Sequence, residues 1–156
     1  LGCAIVDEVV KPMYVARWAK LEELHSGIAA GILEILQNLK LEINEKSIRN
    51  GDVMAVLIDE MANKNEEMRV KLEAVLDAQT EILQKIILTG KAAGEIKKGV
   101  DARSMSYILI TAVQSCYSLG KAKNSVTVFN SAMNALINMI RESMVETEAS
   151  RALPFR

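Results

Sequence analysis

Proline, aromatic residues and histidine are all scarce in this 156-residue chain, which has two prolines, one histidine and 4% aromatic side chains. Sandwiches and barrels draw on aromatic and β-branched residues, so their scarcity favours a helical domain. With His25 as the one histidine, no Ser-His-Asp set, glycine-rich phosphate loop or spaced group of metal ligands can be assembled. The expectation is a protein that is not an enzyme and holds no metal or cofactor. The two cysteines, Cys3 and Cys116, show no metal or redox spacing, which makes a reduced, cytoplasmic chain the default. Charge of one sign is also missing. The formal net charge is -1 with no long like-charged run, so no surface for nucleic acid or an anionic membrane is marked.

No signal peptide is visible, since the opening "LGCAIVDEVV" already carries Asp7 and Glu8. The chain begins at Leu1 without an initiator methionine, and the expectation is a fragment of a longer protein. What the sequence does have is a 50% hydrophobic and 25% charged composition, enough for one globular domain with a sizeable core.

Helical periodicity organises that composition. Residues 13–40 place Trp18, Leu21, His25, Ile28, Ile32, Ile35, Leu36 and Leu39 on one stripe, with Pro12 in the first turn and a short helix over about 2–10 before it. "LEINEKSIRNG" reads as a connector, and Asp52 caps a helix over about 53–63. Asn65 followed by Glu66 and Glu67 starts a long helix to about 93, with Leu72, Val75, Leu76, Gln79, Ile82, Leu83, Ile86 and Ile87 on one face. Asp101 caps a helix that Gly120 ends, and the last helix covers about 125–146. The fold class expected is all-α, a single bundle of about six helices spanning residues 1–156.

Two of these helices lack charge over most of their length. From Ser104 to Gly120, and again from Asn124 to Ile140, no charged residue occurs, and the polar side chains are small or neutral. A surface helix keeps charge toward water. Two neutral helices in succession therefore suggest a pair covered on both sides, by the chain's own core and by a second copy in a four-helix dimer interface. The face chosen for that contact is Ile108, Thr111, Ala112, Ser115 and Leu119, against Val126, Asn130, Met133, Asn134, Ile137 and Arg141 of the last helix. One central helix beside an uncharged surface helix is the arrangement that competes with it.

The run "AVLIDEMANKNEEMRVKLEAVLDAQTEILQKIILTGKAAGEIKKGVDARSMSYILITAVQS", with its "GEI" turn, Asp cap and uncharged helix, resembles the C-terminal half of TetR-type transcriptional repressors. The final helix "VTVFNSAMNALINMIRESM" is similar too. The resemblance covers about residues 52–146 well, and residues 1–51 only by general pattern. It implies a homodimer built on the last two long helices, with a ligand held among the preceding ones. The family's N-terminal helix-turn-helix, with its "Y.YF..K" turn, has no counterpart here, so contact with DNA would need a domain outside this chain.

Two polar residues interrupt apolar stripes. His25 lies between Leu21 and Ile28, and Gln79 between Leu76 and Leu83. Burying either requires a hydrogen-bond partner, within the protein or on a ligand. With Trp18, Tyr107, Gln114 and Tyr117, and with Met61 and Leu83 as apolar wall, they form the expected lining for a small, largely apolar effector. Met54, Met61 and Met68 recur at every seventh position, which suits ordinary core filling as well as a cavity. The competing class of function is a stand-alone helical homodimer acting as adaptor or scaffold, with no small ligand.

Overall fold

The computed structural model describes residues 2–22 and 27–145. It is all-α: among the described residues the only β contact is an isolated bridge between Ile96 and Met144. The first helical stretch is α1 (Gly2–Ile5), a π-helical turn over Val6–Val10, α2 (Lys11–Ala19) and a short 3₁₀ turn. The expected separate helix at 2–10 is thus continuous with α2. The Lys11 N–H reaches back five residues to the Val6 carbonyl, and Pro12 has no N–H to place, so a wide turn absorbs the proline without ending the helix.

The helix expected over 13–40 is in two pieces. α3 begins only at Ile28 and ends at Glu42, behind Gly27 at φ 88°, a backbone conformation that disfavours any side chain. The stripe still works as a stripe: Trp18, Leu21, Ile32, Leu36 and Leu39 are all buried in one core. The expected connector contains α4 (Glu45–Asn50), whose N-cap Asn44 accepts from the Ser47 N–H at 3.0 Å.

The remaining helices begin where their caps stand. α5 (Val53–Met61) starts behind Asp52, α6 (Glu66–Ala92) behind Asn65, α7 (Ala102–Lys123) behind Asp101 and α8 (Val126–Glu142) behind Ser125. Each cap side chain accepts from the N–H three residues on, at 2.7–3.2 Å.

Gly120 does not stop α7. It is buried within the helix, and an added Cβ would lie 2.8 Å from Ile48 Cδ1 and 2.9 Å from Phe129 Cβ. Its role is to let α4 and α8 approach, and Asn124, left-handed at φ 46°, closes the helix instead.

α6 and α7 form a helical hairpin, α8 packs on α7 and α3, and α2 lies along α6. The main core lies among α2, α3, α6, α7 and α8. A second cluster of Val6, Val10, Tyr14, Met54, Met68, Leu72 and Val75 lies toward the N-terminal end, and Leu76 packs against both.

The "GEI" turn ties the helix ends together. Glu95 and Ile96 both donate backbone N–H groups to the Gly90 carbonyl, at 2.9 and 3.2 Å, while Val145 N–H donates to Glu95 O at 2.9 Å. The Glu95 carboxylate accepts from the Ala29 N–H at 2.9 Å, capping α3 from across the bundle.

Candidate binding centre and interaction face

Buried polar atoms without partners lie on several helices, and three of them belong to the expected lining. Gln79 stands thirteen residues before the end of α6 at Ala92, and Gln114 stands twelve after the start of α7 at Ala102. A hairpin therefore brings them to about the same level, roughly 20 Å from the turn at 1.5 Å per residue. Gln79 is 2% exposed and Trp18, on α2, 1%. The indole Nε1 of Trp18 and the Nε2 atoms of Gln79 and Gln114 are buried without a hydrogen-bond partner.

Buried hydroxyls nearby behave differently. Thr80 donates to Leu76 O at 2.8 Å and Ser106 to Ala102 O at 2.7 Å, so each is satisfied by its own helix. A buried polar atom left unpaired costs about 1–3 kcal/mol, so Trp18, the two glutamines and likewise Asn130 Oδ1 of α8 are positions where a water or a ligand group would be stabilising.

The other expected lining residues distribute unevenly. Leu83 is fully buried in the main core, one turn from Gln79. Tyr117 is half-buried there, with its ring 4.8 Å from that of Phe129, and burial pushes its phenol above the usual range. Met61 belongs to the second cluster, with Met54 and Met68, so the heptad-spaced methionines are packing residues of that cluster. Tyr107 is 46% exposed, where it accepts from Arg103 Nε at 3.0 Å; it turns away from the core. His25 lies outside the described residues.

The polar cluster that sequence reasoning missed is Tyr14 with Asp52. The Tyr14 hydroxyl donates to Asp52 Oδ2 at 2.7 Å and accepts from the Met54 N–H at 3.2 Å, while Asp52 Oδ1 caps α5. Burial, followed by the Asp52 charge, holds the Tyr14 phenol well above its ordinary range. The seven-residue spacing from Tyr14 to Leu21 was the available signal, because it puts Tyr14 on the buried stripe.

Open clefts lie elsewhere. One of about 410 Å³ runs between α2 and α3, bounded by Met13, Arg17, Lys20, Ile35, Asn38 and Glu42, and a flatter one follows the outer face of α6 around Leu88. Neither is lined by the expected pocket residues.

The neutral helices do expose uncharged lanes. On α7, Ile108 and Leu119 are each 45% exposed, Thr111 and Ser115 are exposed, and Ala112 is half-exposed. On α8 the expected face turns out to be mixed. Met133 and Ile137 are buried in this chain's own core, Val126, Asn130 and Arg141 are half-buried, and Asn134 is exposed but accepts from Lys40 Nζ of α3 at 2.5 Å. The lane that α8 leaves open is Thr127, Ser131, Asn134, Ala135, Asn138 and Met139. The face inferred for Met133 and Ile137 is thereby corrected: α3, α4 and α7 already fill it.

Architecture and spacing together define a class, an all-helical domain with an α6–α7 hairpin and a closing α8. The sequence profile of the tetracyclin repressor-like C-terminal domain family matches residues 27–136, and the chain belongs to that family. Its fold is similar to that of a TetR transcriptional regulator from Chloroflexus aurantiacus J-10-fl, solved as a crystal structure at 1.80 Å resolution. The TM-score is 0.68 at 22% identity, over 90% of this chain and 71% of that one. No curated protein matches the chain. Among the described residues no helix is long and apolar enough to cross a membrane.

Proposed function

We propose that this chain is the effector-binding and dimerisation domain of a TetR-like transcriptional repressor. It pairs with a second copy of itself through α7 and α8, and a small, largely apolar effector binds among the helices that precede them. The effector acts by favouring one of two packings of those helices, which alters the spacing of two DNA-reading domains outside this chain. Family membership supports the regulatory role, and the unpartnered donors on α2, α6 and α7 support an internal ligand.

The observation that carries the dimer is the uncharged lane shared by α7 and α8, which displays Ile108, Leu119 and Met139 to solvent in the single chain. Large apolar side chains exposed along the uncharged stretches of these helices support an interface there. Sedimentation equilibrium at micromolar concentration is expected to show a dimer. Ser115→Glu or Ala135→Glu, each at an exposed position of the protomer, is expected to leave helicity intact. Each should weaken association by roughly a hundredfold or more, since an unpaired buried charge costs about 3–5 kcal/mol. A folded wild-type monomer would overturn this half of the reading.

A further inference from the structure

We infer that the open cleft between α2 and α3 is a binding site for an amphipathic monoanion, a carboxylate with an apolar body. Its charge rests on Arg17 and Lys20 of α2, and its body lies against Met13, Ile35 and Leu39. The inference rests on the effector-binding reading and gives it a place and a chemistry. At about 410 Å³ the cleft has the volume of a small-molecule site, roughly 300–1,000 Å³. The flatter groove on α6 has no second wall, because its lining residues all come from that one helix.

The sign of the ligand follows from the two walls. α2 supplies the cations Arg17 and Lys20, and α3 supplies the single carboxylate of Glu42. Among the described residues the ion pairs are those of Arg69 with Glu66 and Glu73 and of Lys71 with Asp7, so none of the three cleft charges is neutralised by a neighbour. Arg17 is held in place. Its guanidinium lies 4.9 Å from the centre of the Tyr14 ring, and the Tyr14 hydroxyl is fixed on Asp52 at 2.7 Å. Stacking on a ring face leaves the N–H edge of the guanidinium open to a carboxylate, with less rotamer freedom to lose on binding. Ile35 and Leu39 form the inner apolar wall, and Met13, nearly half exposed, is the part that an apolar body takes out of water. An ammonium group would meet two like charges there. Because the walls belong to different helices, a ligand touching both changes the balance between packings of α2 and α3.

The test uses the 156-residue chain with octanoate, octan-1-ol, octylammonium and butanoate, each titrated by calorimetry. Octanoate is expected to bind about fivefold more tightly than octan-1-ol, the factor that a well-placed but solvent-exposed ion pair supplies. Octylammonium should bind more weakly than either. Butanoate, with its shorter chain, should bind about tenfold more weakly than octanoate, since the cleft only partly covers each methylene. Arg17→Gln and Lys20→Gln should each reduce the advantage of octanoate over octan-1-ol to about twofold, and together they should abolish it. Glu42→Gln removes the one like charge and should tighten octanoate about twofold. Met13→Ser should weaken octanoate and octan-1-ol alike.

Lys20 and Glu42 are exposed and Arg17 is half-buried, so the variants at Lys20 and Glu42 read out the site even where Arg17→Gln does not fold. Equal binding of octanoate and octan-1-ol to the wild type would overturn the inference. So would an octanoate preference left unchanged by Lys20→Gln and Glu42→Gln, because the anion would then sit elsewhere in the chain. In either case, octan-1-ol binding that is indifferent to Met13→Ser leaves the effector-binding reading intact, with its site away from this cleft. Binding of none of the four probes would overturn the effector-binding reading itself, and this inference with it.

Discussion

Tyr14 shows how one side chain can link elements that are distant in sequence. Its hydroxyl joins α2 to the start of α5 through Asp52 and the Met54 N–H. Tyr14→Phe removes one donor to a buried carboxylate and one acceptor for a backbone N–H, at an expected cost of about 1–3 kcal/mol in chemical denaturation. The pH dependence comes from the raised phenol. Below the unfolded value of 10.0 both states hold the proton and the contribution is complete. Above it the unfolded chain releases its proton while the folded chain keeps it, so stability is lost as pH rises toward the folded value. The wild type should therefore lose stability on going above pH 10, and Tyr14→Phe should show a shallower loss; equal slopes would remove Tyr14 from the explanation. At this scale Gln79 was legible, because a polar residue in the middle of an apolar stripe is visible in one dimension. Asp52 was legible only as a cap. Its second role depends on a partner 38 positions away in the sequence.

Elements were legible mainly at their starts. Asp52, Asn65 and Asp101 each cap a helix, because a cap needs only a side-chain oxygen and an N–H three residues on. Glycines were harder to interpret, since a glycine that ends a helix and one that admits a neighbour look alike in sequence. Gly120 is the second kind. In Gly120→Ala the added methyl meets Phe129 Cβ, which cannot swing away as the Ile48 tip can. Overpacking of about 1–3 kcal/mol should outweigh a helix-propensity gain of about 1 kcal/mol, giving net destabilisation. A lower denaturant midpoint at unchanged slope is the expected result, and a raised midpoint would return Gly120 to the role of helix stop. Gly27 sits inside a periodic stripe. Trp18 and Leu21 before it and Ile32 and Leu36 after it are buried in the same core, which is why periodicity alone gives no warning of the break.

For the whole molecule, the proposed function divides between a face and a centre. The chain's formal net charge is -1 and its sequence has no long basic run of the kind that marks a phosphate-binding surface. The 156-residue chain is accordingly expected not to retard duplex DNA in a sequence-selective, salt-sensitive manner. Such retardation would place a DNA reader within these residues and contradict the proposed division of labour. The sequence by itself determined the helical class, the caps and the neutrality of α7 and α8, because each is a property of neighbouring residues along the chain. Only the tertiary structure decided that Met133 and Ile137 point inward, that Tyr107 points out, and that Glu95 caps α3. A neutral helix offers no charged face to orient it, so either side of α8 could have met solvent, and the choice fell to the volume that α3, α4 and α7 already occupy.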